Sequence, residues 1–64
     1  MNEEREIVNY KECGSFNVSF NHVLFEDETY VWEVVIDWTD GAYPTKMEFD
    51  TYDEAFSEYN RWGY

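Results

Sequence analysis

Fifteen Asp and Glu against four Lys and Arg give this 64-residue chain a formal net charge of -11, and 22 % of its residues are aromatic. Such a charge excludes binding to nucleic-acid phosphates through a basic patch and disfavours an anionic membrane surface, because both need clustered cations. The aromatic load excludes a disordered acidic tail: a chain this short buries only about 60 % of its unfolded surface, and rings that each remove roughly 150–250 Å² from water make that burial sufficient.

Cys13 is the only cysteine, which rules out an intrachain disulfide and a Cys-rich zinc site and suits a reducing compartment. The opening Met1-Asn2-Glu3-Glu4-Arg5-Glu6 is acidic without an apolar leader, and no run has the length of a transmembrane helix. The expectation is a single small domain over residues 1–64, soluble and cytoplasmic, with 1–4 frayed.

From Arg5 to Glu12, Val8 and Tyr10 share one parity and define a first strand. Cys13-Gly14-Ser15 reads as a turn, and Phe16-Asn17-Val18-Ser19-Phe20-Asn21 alternates apolar and polar. A three-residue loop at 13–15 would set Tyr10 opposite Val18 and Val8 opposite Phe20, with both apolar sets on one face. This second strand continues to Leu24 and meets an acidic loop, Phe25-Glu26-Asp27-Glu28-Thr29. Tyr30 to Thr39 is the strongest strand signal, with Tyr30, Trp32, Val34, Ile36 and Trp38 on its even positions. With a five-residue loop, Leu24 faces Tyr30, Phe20 faces Val34, Val18 faces Ile36 and Phe16 faces Trp38.

Asp40-Gly41-Ala42-Tyr43-Pro44 is a turn, and Thr45 to Asp50 a short fourth strand with Met47 and Phe49 toward the core. Opposite charges favour Asp37 facing Lys46 over Asp37 facing Glu48. Thr51-Tyr52-Asp53-Glu54 fits a capping box, and Tyr52, Ala55, Phe56, Tyr59 and Trp62 fall on one helical face that Gly63 ends. The fold class is α+β: a four-stranded antiparallel meander sheet with one C-terminal helix packed on one face, in the order β-β-β-β-α. Trp32, Trp38, Phe49, Phe56 and Trp62 are expected in its core.

No catalytic motif is legible. His22 is the sole histidine, which removes Ser–His–Asp and multi-histidine metal sites. It falls opposite Trp32 on the core face, either packed on the indole or as a pH-sensitive contact. A sheet with one helix offers no cleft for the paired carboxylates of a glycosidase, and neither Glu26-Asp27-Glu28 nor Asp50-x-x-Asp53-Glu54 has EF-hand spacing. The reading is a non-enzyme with no cofactor and no metal.

One sheet face is left without a covering element. It is expected to carry Ile7, Asn9 and Lys11, then Asn17, Ser19, Asn21 and Val23, then Val31, Glu33, Val35 and Asp37, then Lys46, Glu48 and Asp50. Val23, Val31 and Val35, with Phe25, would form an apolar strip bordered by carboxylates, a pattern that marks contact surfaces. The expected partner-binding residues are Glu26, Asp27, Glu28, Val31, Glu33, Val35, Asp37 and Glu48.

In size and charge the chain resembles the general run of small phage-encoded inhibitors, such as anti-CRISPR proteins and DNA-mimicking inhibitors of repair or restriction enzymes. That resemblance implies an acidic inhibitor or decoy that occupies a basic nucleic-acid-binding surface of a target protein, in the cytoplasm of a host cell if phage-encoded. Its partner would be a basic protein, with no direct nucleic acid and no membrane, and the chain itself a monomer or weak homodimer. The alternative is a self-associating or scaffold-bound interaction domain without nucleic-acid mimicry.

Overall fold

The computed structural model describes residues 3–62; Met1, Asn2 and the expected helix stop at Gly63 lie outside them. Four strands, β1 (Glu3–Glu12), β2 (Phe16–Phe25), β3 (Tyr30–Trp38) and β4 (Thr45–Phe49), precede one helix, α1 (Tyr52–Arg61). The sheet order is β1-β2-β3-β4 with every neighbouring pair antiparallel, the expected meander. No helix among the described residues is long and apolar enough to cross a membrane.

The β2–β3 register is the expected one, with Leu24 opposite Tyr30, His22 opposite Trp32, Phe20 opposite Val34, Val18 opposite Ile36 and Phe16 opposite Trp38. Phe25 donates its N–H to the Thr29 carbonyl at 2.8 Å and accepts from the Glu28 N–H at 3.0 Å, closing the loop around a left-handed Glu28 with φ 72°. Period-two patterning decides register most firmly where one face is buried and apolar, as it is here but for His22.

The β1–β2 register departs from expectation. The turn is tighter than a three-residue loop: Cys13 N–H donates to the Phe16 carbonyl at 2.8 Å, leaving Gly14 and Ser15 as the turn residues, with Gly14 at φ 82°. That tight turn pairs Lys11 with Val18, Tyr10 with Ser19 and Asn9 with Phe20. A β-bulge between Ile7 and Asn9, with Val8 the extra residue, then shifts the register so that Ile7 meets Asn21 and Glu6 meets His22. Tyr10 therefore lies on the outer face, whereas Asn9 and Lys11 lie on the helix side, the reverse of their expected places. Glu3 and Glu4 pair with Phe25 and Leu24 instead of fraying.

The β3–β4 register is also corrected. Trp32 pairs with Phe49, Glu33 with Glu48, Val34 with Met47 and Val35 with Lys46, which leaves Asp37 beyond the end of β4. A slide of two residues keeps every side chain on its face, so parity could not decide among the options. Two facing glutamates are tolerated because the Lys46 ammonium lies 3.5 Å from Glu33 and 3.9 Å from Glu48.

α1 crosses β2, β3 and β4 and meets β1 through the Lys11 side chain. Val18, Phe20, Val34, Ile36, Ala55 and Tyr59 form the buried centre, and Trp32, Trp38, Phe49, Phe56 and Trp62 pack around it as expected. Phe20 is the hub, its ring centroid 5.5–5.9 Å from those of Trp32, Tyr52, Phe56 and Tyr59. Thr51 caps the helix by accepting from the Glu54 N–H at 3.3 Å and donating to the Glu54 carboxylate at 3.1 Å. α1 starts beside Trp32, which Tyr52 touches, and ends beside Phe16 and Trp38, which Trp62 touches. Each end of the molecule is thereby defined by both sheet and helix.

Candidate functional site

At the centre of the outer face Glu33 is 1 % exposed. Arg5 clamps it through Nε to Oε1 and Nη2 to Oε2, both at 3.1 Å, and Asn21 Nδ2 donates to Oε1 at 3.0 Å. Burial raises the Glu33 pKa, but the hydrogen bonds from Asn21 and Arg5 and the charges of Arg5 and Lys46 outweigh it and hold the carboxyl below its ordinary range. Glu33 is thus a structural anion with its oxygens occupied, and it does not present a carboxylate to a partner.

The expected valine strip is largely closed. Val23 is 1 % exposed, and Val31, Val35 and Phe25 are half-buried. Arg5 pairs with Val23 across β1 and β2 and extends toward β3, so its aliphatic stem covers apolar surface while its guanidinium meets Glu33. The exposed apolar residues lie elsewhere: Ile7, Val8 and Tyr10 on β1, Leu24 and Tyr30 near the β2–β3 loop, Tyr43 between β3 and β4, and Tyr52 at the start of α1.

Glu26, Asp27 and Glu28 are exposed on the β2–β3 loop. Asp27 Oδ1 accepts from the Thr29 hydroxyl at 2.6 Å and the Thr29 N–H at 3.2 Å, and these bonds lower its pKa while they fix the loop. Glu48 faces the same half of the sheet, opposite Glu33. Asp37 does not join this group, being seven residues along β3 from Tyr30, or about 24 Å at roughly 3.4 Å per residue.

Register and helix placement together sort the charges by end. The end bearing the β2–β3 loop and the start of α1 holds Glu3, Glu4, Glu6, Glu26, Asp27, Glu28, Glu33, Glu48, Asp50, Asp53 and Glu54, with Arg5 and the reaching Lys46 as its cations. The opposite end holds Glu12, Asp37, Asp40 and Glu58 with Lys11 and Arg61. Eleven carboxylates less two cations against four less two place nine of the eleven units of net charge in one lobe. The sequence reading missed Glu3, Glu4 and Glu6 because it took the first two as frayed. It missed Asp50, Asp53 and Glu54 because their nearness to the loop depends on where the helix begins.

All four cations are engaged within the fold. Arg5 and Lys46 meet Glu33, Arg61 meets Glu58 at 3.1 Å, and Lys11 Nζ donates to the Tyr59 carbonyl at 2.9 Å while lying 4.3 Å from that ring's centroid. His22 stacks on Trp32 with centroids 4.2 Å apart, in agreement with its reading as a packed core-face imidazole. Glu3, Glu4, Leu24, Phe25, Glu26 and Glu28 line a shallow concavity between β1 and the loop. No cluster of three or more His, Cys, Asp or Glu among the described residues has metal-site geometry. Comparison with protein families, characterised proteins and solved structures gives no match.

Proposed function

We propose that this protein is an acidic decoy: its charged lobe occupies the basic nucleic-acid-binding surface of a target protein, as a phage-type anti-defence inhibitor or DNA mimic would. The observation that carries this reading is the segregation of nine units of negative charge into one end of a body 36 × 25 × 15 Å across, with each of the four cations partnered within the fold. Charge spread evenly over a surface serves solubility, whereas charge gathered at one end creates a directional field that steers a cationic groove toward it. Glu28, Glu48, Asp50 and Asp53, together with the β1 glutamates, stand where such a groove would otherwise hold phosphates. Asp37 and Glu33 fall outside the contact, and Val31 and Val35 support the sheet beneath it.

The test is retention of proteins on the immobilised chain, followed by elution with duplex DNA or single-stranded RNA at constant ionic strength. Elution of specific proteins by nucleic acid supports a decoy; retention unaffected by either polymer rejects it.

A further inference from the structure

We infer that the free edge of β1 between Glu3 and Ile7 takes an added β-strand from a basic partner, so that the decoy contact is made through the backbone as well as through charge. This inference rests on the decoy reading for the sign of the partner's charge. β1 is a ten-residue edge strand, hydrogen-bonded to β2 on one side, met by α1 at Lys11 and not packed under it over Glu3–Ile7, and exposed over nearly its whole length. Its open side presents a row of N–H and C=O groups, the ordinary template for strand addition.

The bulge at Val8 divides that edge. On its far side Asn9 to Glu12 pair with Phe20 to Asn17 in a register shifted by one; before it, Glu3 to Ile7 run in continuous register with Phe25 to Asn21. Within this segment Glu4 and Glu6 face the helix side, opposite Leu24 and His22, while Arg5 and the 63 % exposed Ile7 face outward. A guest strand alternating basic and apolar residues would set its cations beside Glu4 and Glu6, with Glu28 nearby, and its apolar side chains beside Ile7.

The same charges select against other occupants. A second copy adding antiparallel through this segment would set Glu4 against Glu6 and Arg5 against Arg5, like charges directly opposed. Acidic edge residues are a common protection against indiscriminate pairing, and here they leave a basic strand as the favoured guest.

The experiment titrates the full-length ¹⁵N-labelled chain with a short synthetic peptide alternating lysine and valine. A second peptide of the same sequence is N-methylated through its centre, which keeps every charge and removes the edge donors. The expected result is chemical-shift change and slowed amide exchange across Glu3–Ile7, with affinity at least about tenfold weaker for the methylated peptide, the equivalent of one or two lost hydrogen bonds. Glu4→Gln with Glu6→Gln should weaken the unmethylated peptide severalfold without altering the fold. Equal affinities for the two peptides, or shifts that spare β1, would overturn the strand-addition proposal. Nucleic-acid elution of retained proteins alongside equal peptide affinities would reject the edge and keep the decoy. Strand addition by the peptide with no nucleic-acid elution would keep the edge and reject the decoy.

Discussion

Arg5 and Glu33 meet across the full width of β2, in a two-pronged contact that ties edge strand β1 to central strand β3. Two strands that share no backbone hydrogen bonds are thereby joined through one ion pair, with Asn21 supporting it from below. Glu33→Gln should cost about 1–3 kcal/mol, since it leaves part of a buried hydrogen-bonding group unmatched. Glu33→Lys would set a third cation against Arg5 and Lys46 and should abolish folding, which chemical denaturation followed by tryptophan fluorescence will show.

The same contact gives stability a pH dependence of defined sign. The Glu33 carboxyl, held below its ordinary value of 4.5, stabilises the fold above that pH, and the contribution is lost as pH falls through the depressed folded value. Protonation of the acidic lobe acts in the opposite direction by relieving self-repulsion, so wild type alone does not isolate the effect. The stability gap between wild type and Glu33→Gln should narrow steadily below about pH 4.5 and stay constant above pH 6. A gap independent of pH would show that the interaction works through shape and not charge.

Phe20 is fully buried under four aromatic neighbours, whereas Trp38 is half-buried at the sheet's end. Phe20→Ala should cost about 3–5 kcal/mol, enough to unfold most of a domain this small. Trp38→Ala should cost less and leave a cooperative transition. A reversed order in thermal melts would place the core's centre at the wrong end.

Lys11 closes the last turn of α1 through the Tyr59 carbonyl and the face of its ring. Lys11→Met keeps most of the aliphatic stem and removes the ammonium. It should cost about 0.5–1.5 kcal/mol, with faster amide exchange confined to the end of the helix. Exchange that accelerates equally along α1 would point to global destabilisation instead.

The element order, the β2–β3 register and the helix cap were legible because each rests on local signals: unbroken alternation through Tyr30–Trp38, and Thr51 three residues before Glu54. The β1–β2 register was not, because a tight Gly14-Ser15 turn and a compensating bulge at Val8 have no alternation signature. The β3–β4 register escaped a pairwise charge argument because Glu33 is neutralised by Arg5 from two strands away. The candidate site shifted for the same reason. Glu33 and the valines seemed exposed only while Arg5, opposite Val23, had no known place to go, and the acidic lobe emerges only once strand register and helix direction bring distant carboxylates to one end.

The most direct measurement of the decoy account compares two charge reversals in binding to a protein eluted by nucleic acid. Glu28→Lys with Asp50→Lys alters the acidic lobe, and Glu12→Lys with Asp37→Lys makes the same change in charge at the opposite end. The account predicts that the lobe variant loses at least about tenfold in affinity, that raising the salt weakens wild type in the same way, and that the far-end variant stays within about threefold of wild type. Equal losses from the two variants would mean that net charge alone drives binding, and would contradict a lobe shaped for the target.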